Sequence, residues 1–279
     1  MQYTTLTNGT KIPQLGFGVF QIPPTKTKTV VKQAIEVGYR HFDTAQAYLN
    51  EAQVGEAIKE SPIDREEFFI TTKVWHTNHG YNECKEAFEE SLKKLQTDYI
   101  DLYLIHQNIG DIFSTWKAME ELYEEGKIKA IGVCNFTPSR YVNLALHSNI
   151  KPMINQIEVN PFYQQDKIEE FYNKYECKVE SWGPLAEGKN NIFNNPILKE
   201  IGQKYDKSTA QIILRWIIQR GIIVFPKSEK KERMIENYSI FDFELTEEDM
   251  EKIKELETNN PIADIDNPYF TESITNFRM

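Results

Sequence analysis

Seven apolar segments of the sequence each end on a side chain that can carry a proton, bear a charge or hydrogen-bond a ligand. They supply one carboxylate, two ammonium groups, one imidazole, two amides and one indole: Asp43, Lys73, His106, Asn135, Gln156, Trp182 and Lys227. Each alone has an ordinary explanation, since a single histidine is often a satisfied core residue and a single lysine is often solvated. Their joint occurrence predicts acid–base and ligand-binding chemistry if the fold brings the seven segment ends together.

The segments themselves are short and rich in β-branched and aromatic residues, which is typical of buried parallel strands. Eight such segments cover 40–43, 68–74, 99–106, 130–135, 153–158, 178–182, 222–227 and 239–241. Between them, apolar residues recur at helical spacing, as at Cys84, Phe88, Leu92 and Leu95. Strands therefore alternate with amphipathic helices along the chain.

This alternation predicts an α/β fold, a single (β/α)8 TIM barrel, which collects all of its strand ends at one mouth. A doubly wound sheet is the competing fold. It is disfavoured because Gly16-Phe17-Gly18 comes early and lacks the third glycine of a dinucleotide-binding turn. We expect one domain over 1–279, with an N-terminal hairpin over 1–22 that turns at Asn8-Gly9 and a polar C-terminal tail over 258–279.

Composition narrows the possible partners. The chain carries 32 Lys+Arg against 42 Asp+Glu, a net charge of −10, which argues against nucleic acid and against an anionic membrane surface. The three cysteines are widely spaced and form no metal-ligand pattern, which favours a reducing compartment and no metal. Neither a signal peptide nor a long apolar span is recognisable. We expect a cytoplasmic monomer with a small-molecule partner.

Sequence motifs around the strand ends resemble those of the aldo-keto reductase family, in its bacterial aldehyde and 2,5-diketo-gluconate reductase-like branch. The motifs occur in the family order over roughly residues 8 to 250. They are FDTAQAYLNE at 42–51, VGEAI at 54–58, ITTKVW at 70–75, DLYLIH at 101–106, GKIKAIGVCNF at 126–136, NQIEVNP at 155–161 and PKS at 226–228.

The resemblance assigns a catalytic tetrad to Asp43, Tyr48, Lys73 and His106. In this assignment Tyr48 donates a proton to the substrate oxygen, and the Lys73 ammonium lowers the pKa of the phenol toward neutrality. Asp43 keeps Lys73 charged and in place. His106 donates a hydrogen bond to the substrate oxygen.

The resemblance also implies that NADPH lies across the barrel mouth. Trp182 takes the place of an aromatic residue that stacks on the nicotinamide, while the amides of Asn135 and Gln156 can donate to and accept from its carboxamide. The 2′-phosphate and adenine end is assigned to the segment after the last strand. The remaining cofactor residues are Asp43, Cys134, Gly183, Leu185, Lys227, Ser228, Arg233, Glu236 and Asn237.

Three departures from the family pattern bear on ligand contacts. Cys134 stands where the family usually has serine, and a thiol is the weaker hydrogen-bond partner. The residues after His106 also differ, and the chain lacks the usual hydrophobic ending. Phe20 and Trp75 are expected to line an apolar substrate cleft beside His106. For His76 and His79, exposed loop residues are the favoured interpretation, and a place at the rim of this cleft is the alternative.

The implied function is NADPH-dependent reduction of small aldehydes, 2-oxoaldehydes, keto sugars or keto acids. The alternative from another class is a non-catalytic NADPH-binding sensor or subunit of the same fold. A complete tetrad argues against it, because a binding protein has no need of the Tyr48–Lys73 pair. A metal-dependent barrel hydrolase is disfavoured because the strand ends offer no suitable carboxylate and histidine ligand set.

Overall fold

The structure, a computed structural model, describes residues 1–277. Arg278 and Met279, the last two residues of the predicted tail, lie outside the described residues. An antiparallel hairpin opens the chain, with β1 (Tyr3–Thr5) paired to β2 (Lys11–Pro13). Leu6 and Ile12 are buried against residues at the amino ends of the barrel strands. The hairpin therefore covers the end of the barrel opposite the strand carboxyl ends.

Eight parallel strands follow in sequence order, as predicted for the barrel. They are β3 (Phe17–Gly18), β4 (His41–Asp43), β5 (Phe69–Val74), β6 (Leu102–Ile105), β7 (Ile131–Cys134), β8 (Ile154–Glu158), β9 (Lys178–Trp182) and β10 (Ile223–Val224). The first and last strands meet through a bridge between Leu15 and Val224, and Gly16 N donates to Val224 O at 2.9 Å. A Cβ at Gly16 would lie 2.5 Å from the Phe225 ring, so this seam needs glycine.

The eighth predicted strand, 239–241, is wrong. This segment is irregular, and the barrel strand that the sequence pattern missed is β3. Ile240 is nevertheless fully buried. No neighbouring strand within residues 1–277 satisfies the backbone of this segment: Ile240 N donates to Tyr238 O, and the side chains of Gln211 and Arg215 donate to the carbonyls of Ser239 and Ile240. Burial without strand pairing explains the apolar pattern.

The N-terminal hairpin is shorter than the predicted range 1–22. It ends with β2, and β3 belongs to the barrel.

Helices cover the outer face of the sheet. They are α1 (Pro24–Val37), α2 (Glu51–Lys59), α3 (Tyr81–Leu95), α4 (Ile112–Glu124), α5 (Pro138–Leu146), α6 (Asp166–Lys174), α7 (Pro196–Tyr205), α8 (Thr209–Gln219), α9 (Lys231–Tyr238), α10 (Glu247–Lys254) and α11 (Pro268–Asn276). Their apolar stripes pack on the strands in one continuous cluster of buried side chains. Within residues 1–277, none of the helices has the length and apolar character needed to cross a membrane.

The described part of the predicted tail is attached to the barrel mouth and contains α11. Glu158, at the end of β8, accepts hydrogen bonds from Ile262 N at 2.8 and 2.9 Å and from Ala263 N at 3.3 Å. This carboxylate therefore anchors the segment that leads into α11 beside the strand carboxyl ends, where the candidate site lies.

Candidate active site

The structure gathers the strand-end residues at the carboxyl-terminal mouth of the barrel, where barrel enzymes place their chemistry. Asp43 and Trp182 are the last residues of β4 and β9, His106 and Asn135 directly follow β6 and β7, Lys73 lies in β5, Gln156 lies in β8, and Lys227 follows β10. Parallel strands in one closed sheet account for this convergence of residues that are distant in sequence.

Lys73 is the centre of the site and is fully buried. Its Nζ donates to both carboxylate oxygens of Asp43, at 2.7 and 2.8 Å, and to the carbonyl oxygen of Thr44 at 3.0 Å. The same nitrogen lies 3.3 Å from the hydroxyl of Tyr48, which a short 3-10 turn over Gln46–Tyr48 presents directly after β4. One ammonium therefore joins a carboxylate to a phenol.

Burial and charge act in opposite directions on these groups. Burial lowers the pKa of Lys73, but the Asp43 carboxylate outweighs it, so the net pKa lies above the usual value and the lysine stays charged. Burial raises the pKa of Tyr48, and Lys73 only partly offsets this, so the net pKa is also above its usual value. The net fall expected from the sequence is therefore wrong, although Lys73 acts in the expected direction. The phenol holds its proton at neutral pH.

His106 completes the group around Tyr48. The two rings meet edge to face with centroids 5.6 Å apart, and the ring of Trp75 lies 5.0 Å from that of His106 on another side. Burial, followed by the charge of Lys73, holds the pKa of His106 well below its usual value. The imidazole is therefore neutral near pH 7, with one N–H available as a hydrogen-bond donor.

Aromatic side chains border this group, among them the two that were predicted to line a substrate cleft. The ring of Phe20, half of which is exposed, lies 4.9 Å from that of Tyr48. Phe277, which follows α11, lies 5.9 Å from Trp75, and Trp75 Nε1 donates to Phe277 O at 3.4 Å. The C-terminal segment thus adds an aromatic ring beside Trp75, which the polar composition of the predicted tail did not reveal.

The two loop histidines differ from expectation, since His76 and His79 are half-buried rather than exposed. The Nε2 atoms of both rings are buried and have no hydrogen-bond partner among residues 1–277. His79 Nδ1 contacts Ile109 O at 2.6 Å, and burial lowers the pKa of His79 to about 4. Both imidazoles lie near His106, on whose pKa their charges act.

The predicted nicotinamide residues form a connected set. Trp182 Nε1 donates to Asn135 Oδ1 at 2.9 Å, and Asn135 adopts the left-handed backbone conformation, with φ +60°. Gln156 Nε2 donates to Asp43 Oδ2 at 2.9 Å. The amides are thus oriented by protein contacts, and the half-buried indole lies beside them.

Cys134 replaces the usual serine as a buried thiol, with its Sγ 3.9 Å from Gln156 Oε1. Burial raises the pKa of this thiol well above its usual value. Cys134 is therefore a neutral thiol at neutral pH, which agrees with its expected place as a small core residue rather than a nucleophile.

The predicted phosphate-binding segment follows β10 and includes the start of α9. Its cations are not equivalent: Lys227 lies 3.5 Å from Glu229, and Lys231 lies 2.6 Å from Glu36. Arg233 is exposed and forms no ion pair with any described residue. Ser228 is buried and accepts from Lys230 N, Asn237 is also buried, and Glu236 is half-buried.

The loop after Trp182 contains Gly183 and Leu185 and is rich in left-handed backbone conformations. Gly183 has φ +62°, and a Cβ there would lie 3.3 Å from Ile262. Leu185 packs partly buried against the core. The loop thus lies between the nicotinamide residues and the segment anchored by Glu158.

Glu180 is the main residue of the site that strand-end reasoning missed. It lies two residues before Trp182 on β9, is fully buried, and accepts from Gln156 Nε2 at 3.0 Å. The two-residue period of a strand would have placed it on the same face as Trp182.

The set of donors fits a dinucleotide phosphate cofactor. Amides and an indole that the protein orients suit a flat ring bearing a carboxamide. The guanidinium of Arg233, which forms no ion pair with a described residue, suits a phosphate.

The family model of the aldo/keto reductase family matches residues 6–258.

Curated relatives cover nearly the whole chain. The glyoxal reductase of Bacillus subtilis is 46% identical over 260 residues, which are 92% of this chain and 94% of that protein. The 9,11-endoperoxide prostaglandin H2 reductase of Trypanosoma cruzi is 46% identical over 262 residues, 93% of each chain. The structure of a Bombyx mori aldo-keto reductase in complex with NADP superposes with a TM-score of 0.90 at 36% identity, covering 96% of this chain and 98% of that one. The chain therefore belongs to the aldo/keto reductase family of NADP(H)-dependent oxidoreductases.

Proposed function

We propose that this reductase reduces small aldehydes and dicarbonyl compounds, 2-oxoaldehydes above all, to alcohols, with Tyr48 as the proton donor. The observation that carries the proposal is the position of the buried Lys73 ammonium between the Asp43 carboxylate and the Tyr48 hydroxyl. When bound, NADPH supplies the hydride that such a reduction requires.

Residues around the substrate oxygen supply a hydrogen bond, a proton and a stabilising charge. Neutral His106 donates a hydrogen bond to the carbonyl oxygen and holds it near Tyr48. Tyr48 carries a proton at neutral pH, because burial raises the pKa of its phenol, and it transfers that proton to the growing alkoxide. The phenolate left behind is stabilised by Lys73, whose charge Asp43 maintains.

The same geometry supports the cofactor contacts that we propose. Trp182 would hold the nicotinamide ring, and Asn135 and Gln156, with Cys134 next to Gln156, would hold its carboxamide. Arg233 would hold the 2′-phosphate, since it is exposed and forms no ion pair with a carboxylate of residues 1–277, whereas Lys227 and Lys231 do. The wider assignment to this cofactor also includes Asp43, Gly183, Leu185, Lys227, Ser228, Glu236 and Asn237.

The substrate preference rests on the cleft wall. Phe20, Trp75 and Phe277 offer aromatic surface, and the imidazoles of His79 and His106 are neutral near pH 7. These side chains, all among the described residues, carry no positive charge near pH 7, which favours small uncharged carbonyl compounds over keto acids. The name of the relative in Bacillus subtilis, a glyoxal reductase, supports the same substrate class.

The test is a panel of glyoxal, methylglyoxal, simple aldehydes, keto sugars and keto acids, with the loss of nicotinamide absorbance followed for NADPH and for NADH. We expect turnover with NADPH, fastest on the uncharged dicarbonyls. Tight NADPH binding with no turnover on any carbonyl would instead support the non-catalytic sensor. Faster turnover of keto acids than of uncharged dicarbonyls would contradict the substrate assignment.

A further inference from the structure

Glu180 is a carboxyl group in the barrel interior that the proposed reaction does not use. It is fully buried on β9. Its Oε2 accepts a hydrogen bond from Gln156 Nε2 at 3.0 Å, while its Oε1 has no partner among residues 1–277. A buried carboxyl with one oxygen unpaired is costly and calls for a reason.

Gln156 is the only hydrogen-bond partner of the Glu180 carboxyl in the described structure. It also contacts Asp43 of the tetrad. Gln156 Nε2 donates to Asp43 Oδ2 at 2.9 Å as well as to Glu180. A primary amide nitrogen has two hydrogens, so these two acceptors use its full donor capacity. The carbonyl Oε1 of Gln156 is left to contact a ligand; it lies 3.9 Å from the Cys134 thiol, keeps a second lone pair, and can act solely as an acceptor.

We propose that Glu180 is a positioning residue for the cofactor. By accepting one hydrogen of the Gln156 amide, it fixes that amide with its nitrogen on Asp43 and its carbonyl oxygen directed to the NH2 group of the nicotinamide carboxamide. The inference rests on the proposed function in one respect, that Gln156 contacts the nicotinamide.

Charge balance indicates that Glu180 acts as a neutral acid. Four titratable groups lie near it: the charged Asp43 from β4 and Lys73 from β5, and the neutral thiols of Cys134 on β7 and of Cys177 just before β9. Lys73 is the one cation among these four and already pairs with Asp43. Burial, followed by the charge of Asp43, raises the pKa of Glu180 to about 8.

A neutral buried acid makes stability depend on pH with a defined sign. The unfolded chain releases this proton near the usual value of 4.5, whereas the folded chain holds it up to about pH 8. Between these two values the folded state binds more protons, so the contribution of Glu180 to stability falls as pH rises and is constant above the folded pKa. The Glu180→Gln variant has no titratable group at this position, so its stability lacks this fall with rising pH.

The experiment compares wild type with Glu180→Gln, Glu180→Leu and the control Glu120→Gln. Glu120 is another buried glutamate, on α4, whose carboxyl accepts from Ile150 N at 2.7 Å. Two readouts need no turnover: the dissociation constant of NADPH by fluorescence titration, and the melting temperature of the cofactor-free protein from about pH 5 to about pH 9.

We expect Glu180→Gln to bind NADPH within about twofold of wild type, because glutamine keeps the acceptor for Gln156. Glu180→Leu should bind about tenfold more weakly, the equivalent of one hydrogen bond, and Glu120→Gln should bind as wild type. The melting temperature of wild type should fall relative to that of Glu180→Gln as pH rises toward about 8.

Wild-type affinity in Glu180→Leu, or parallel melting curves for wild type and Glu180→Gln, would overturn the inference. Should the leucine variant not fold, Glu180→Asp takes its place with the same expected loss, since the shorter side chain withdraws the acceptor from Gln156. Failure of the proposed function is distinguishable, because it shows as wild-type protein that binds NADPH and reduces no carbonyl.

Discussion

Both carboxylate oxygens of Asp43 accept hydrogen bonds from the ammonium of Lys73, at 2.7 and 2.8 Å, in a region where both side chains are buried. The pair leaves the ammonium free to lie 3.3 Å from the hydroxyl of Tyr48. Asp43 also accepts from Gln156, so the ion pair connects the proton donor to the predicted nicotinamide contact. Substitution of Asp43 or Lys73 should therefore change both the free energy of unfolding and the rate of carbonyl reduction, in different ways.

Lys73→Met should cost about 3–5 kcal/mol of unfolding free energy, because it leaves the Asp43 carboxylate buried without its partner. Adding Asp43→Asn to this variant should recover part of that loss by removing the unpaired charge. Urea unfolding of both single variants and of the double variant measures the coupling. Neither Lys73→Met nor the double variant should show turnover, because Tyr48 lacks the neighbouring ammonium in both. Equal stability of Lys73→Met and wild type would show that the pair is not the buried link described.

Arg233→Ala should weaken NADPH binding by about 10- to 100-fold, the value of charged hydrogen bonds to a phosphate, and leave NADH binding almost unchanged. The matched control on the same helix is Lys231→Ala, whose ammonium already pairs with Glu36. Fluorescence titration with both cofactors checks this. Equal losses for NADPH and NADH would contradict the 2′-phosphate role.

Phe277→Ala should raise the KM for carbonyl substrates several-fold with little change in NADPH affinity, because it removes the ring that packs edge-on against Trp75. About 1 kcal/mol of lost apolar contact corresponds to a roughly fivefold change in KM. Tyr269→Ala on α11 is the control, since Tyr269 is 79% exposed. Steady-state kinetics on glyoxal and on a larger aromatic aldehyde would show whether the wall is in place.

Acid should destabilise the protein partly through His79. Burial lowers its pKa to about 4, so between about pH 6.5 and about pH 4 the unfolded state binds a proton that the folded state does not. This contribution is present above the upper value and is lost as pH falls, at up to about 1.4 kcal/mol per pH unit. His79→Gln should flatten the dependence of the urea midpoint on pH over this range. An unchanged slope would mean that His79 charges as readily in the folded protein as in the unfolded chain.

The gathering of the strand-end residues at the barrel mouth was largely predictable from the sequence. Asp43, Lys73 and His106 each terminate or nearly terminate an apolar segment, and the closed parallel sheet necessarily brings such ends together. The barrel itself followed from the alternation of strand and helix patterns, and the structure and relatives confirm it.

The remaining features depend on tertiary contacts that leave little local signal. β3 has only two residues, too few to show a period, and its identity depends on pairing with its neighbour in the barrel. Ile240 is buried by α8 and so resembles a strand residue without being one. The net rise in the pKa of Tyr48 depends on how deeply the ring is buried, and Phe277 reaches Trp75 only because the C-terminal segment crosses the mouth.

Turnover of glyoxal by Tyr48→Phe, measured as loss of NADPH absorbance beside NADPH affinity by fluorescence titration, tests the central claim most directly. Phenylalanine keeps the ring that packs between Phe20 and His106 and removes only the hydroxyl next to Lys73. We predict that kcat falls by about 10²- to 10⁴-fold, the usual value of a positioned acid, while the dissociation constant of NADPH changes by less than about threefold. Turnover close to wild type with the cofactor still bound would contradict it.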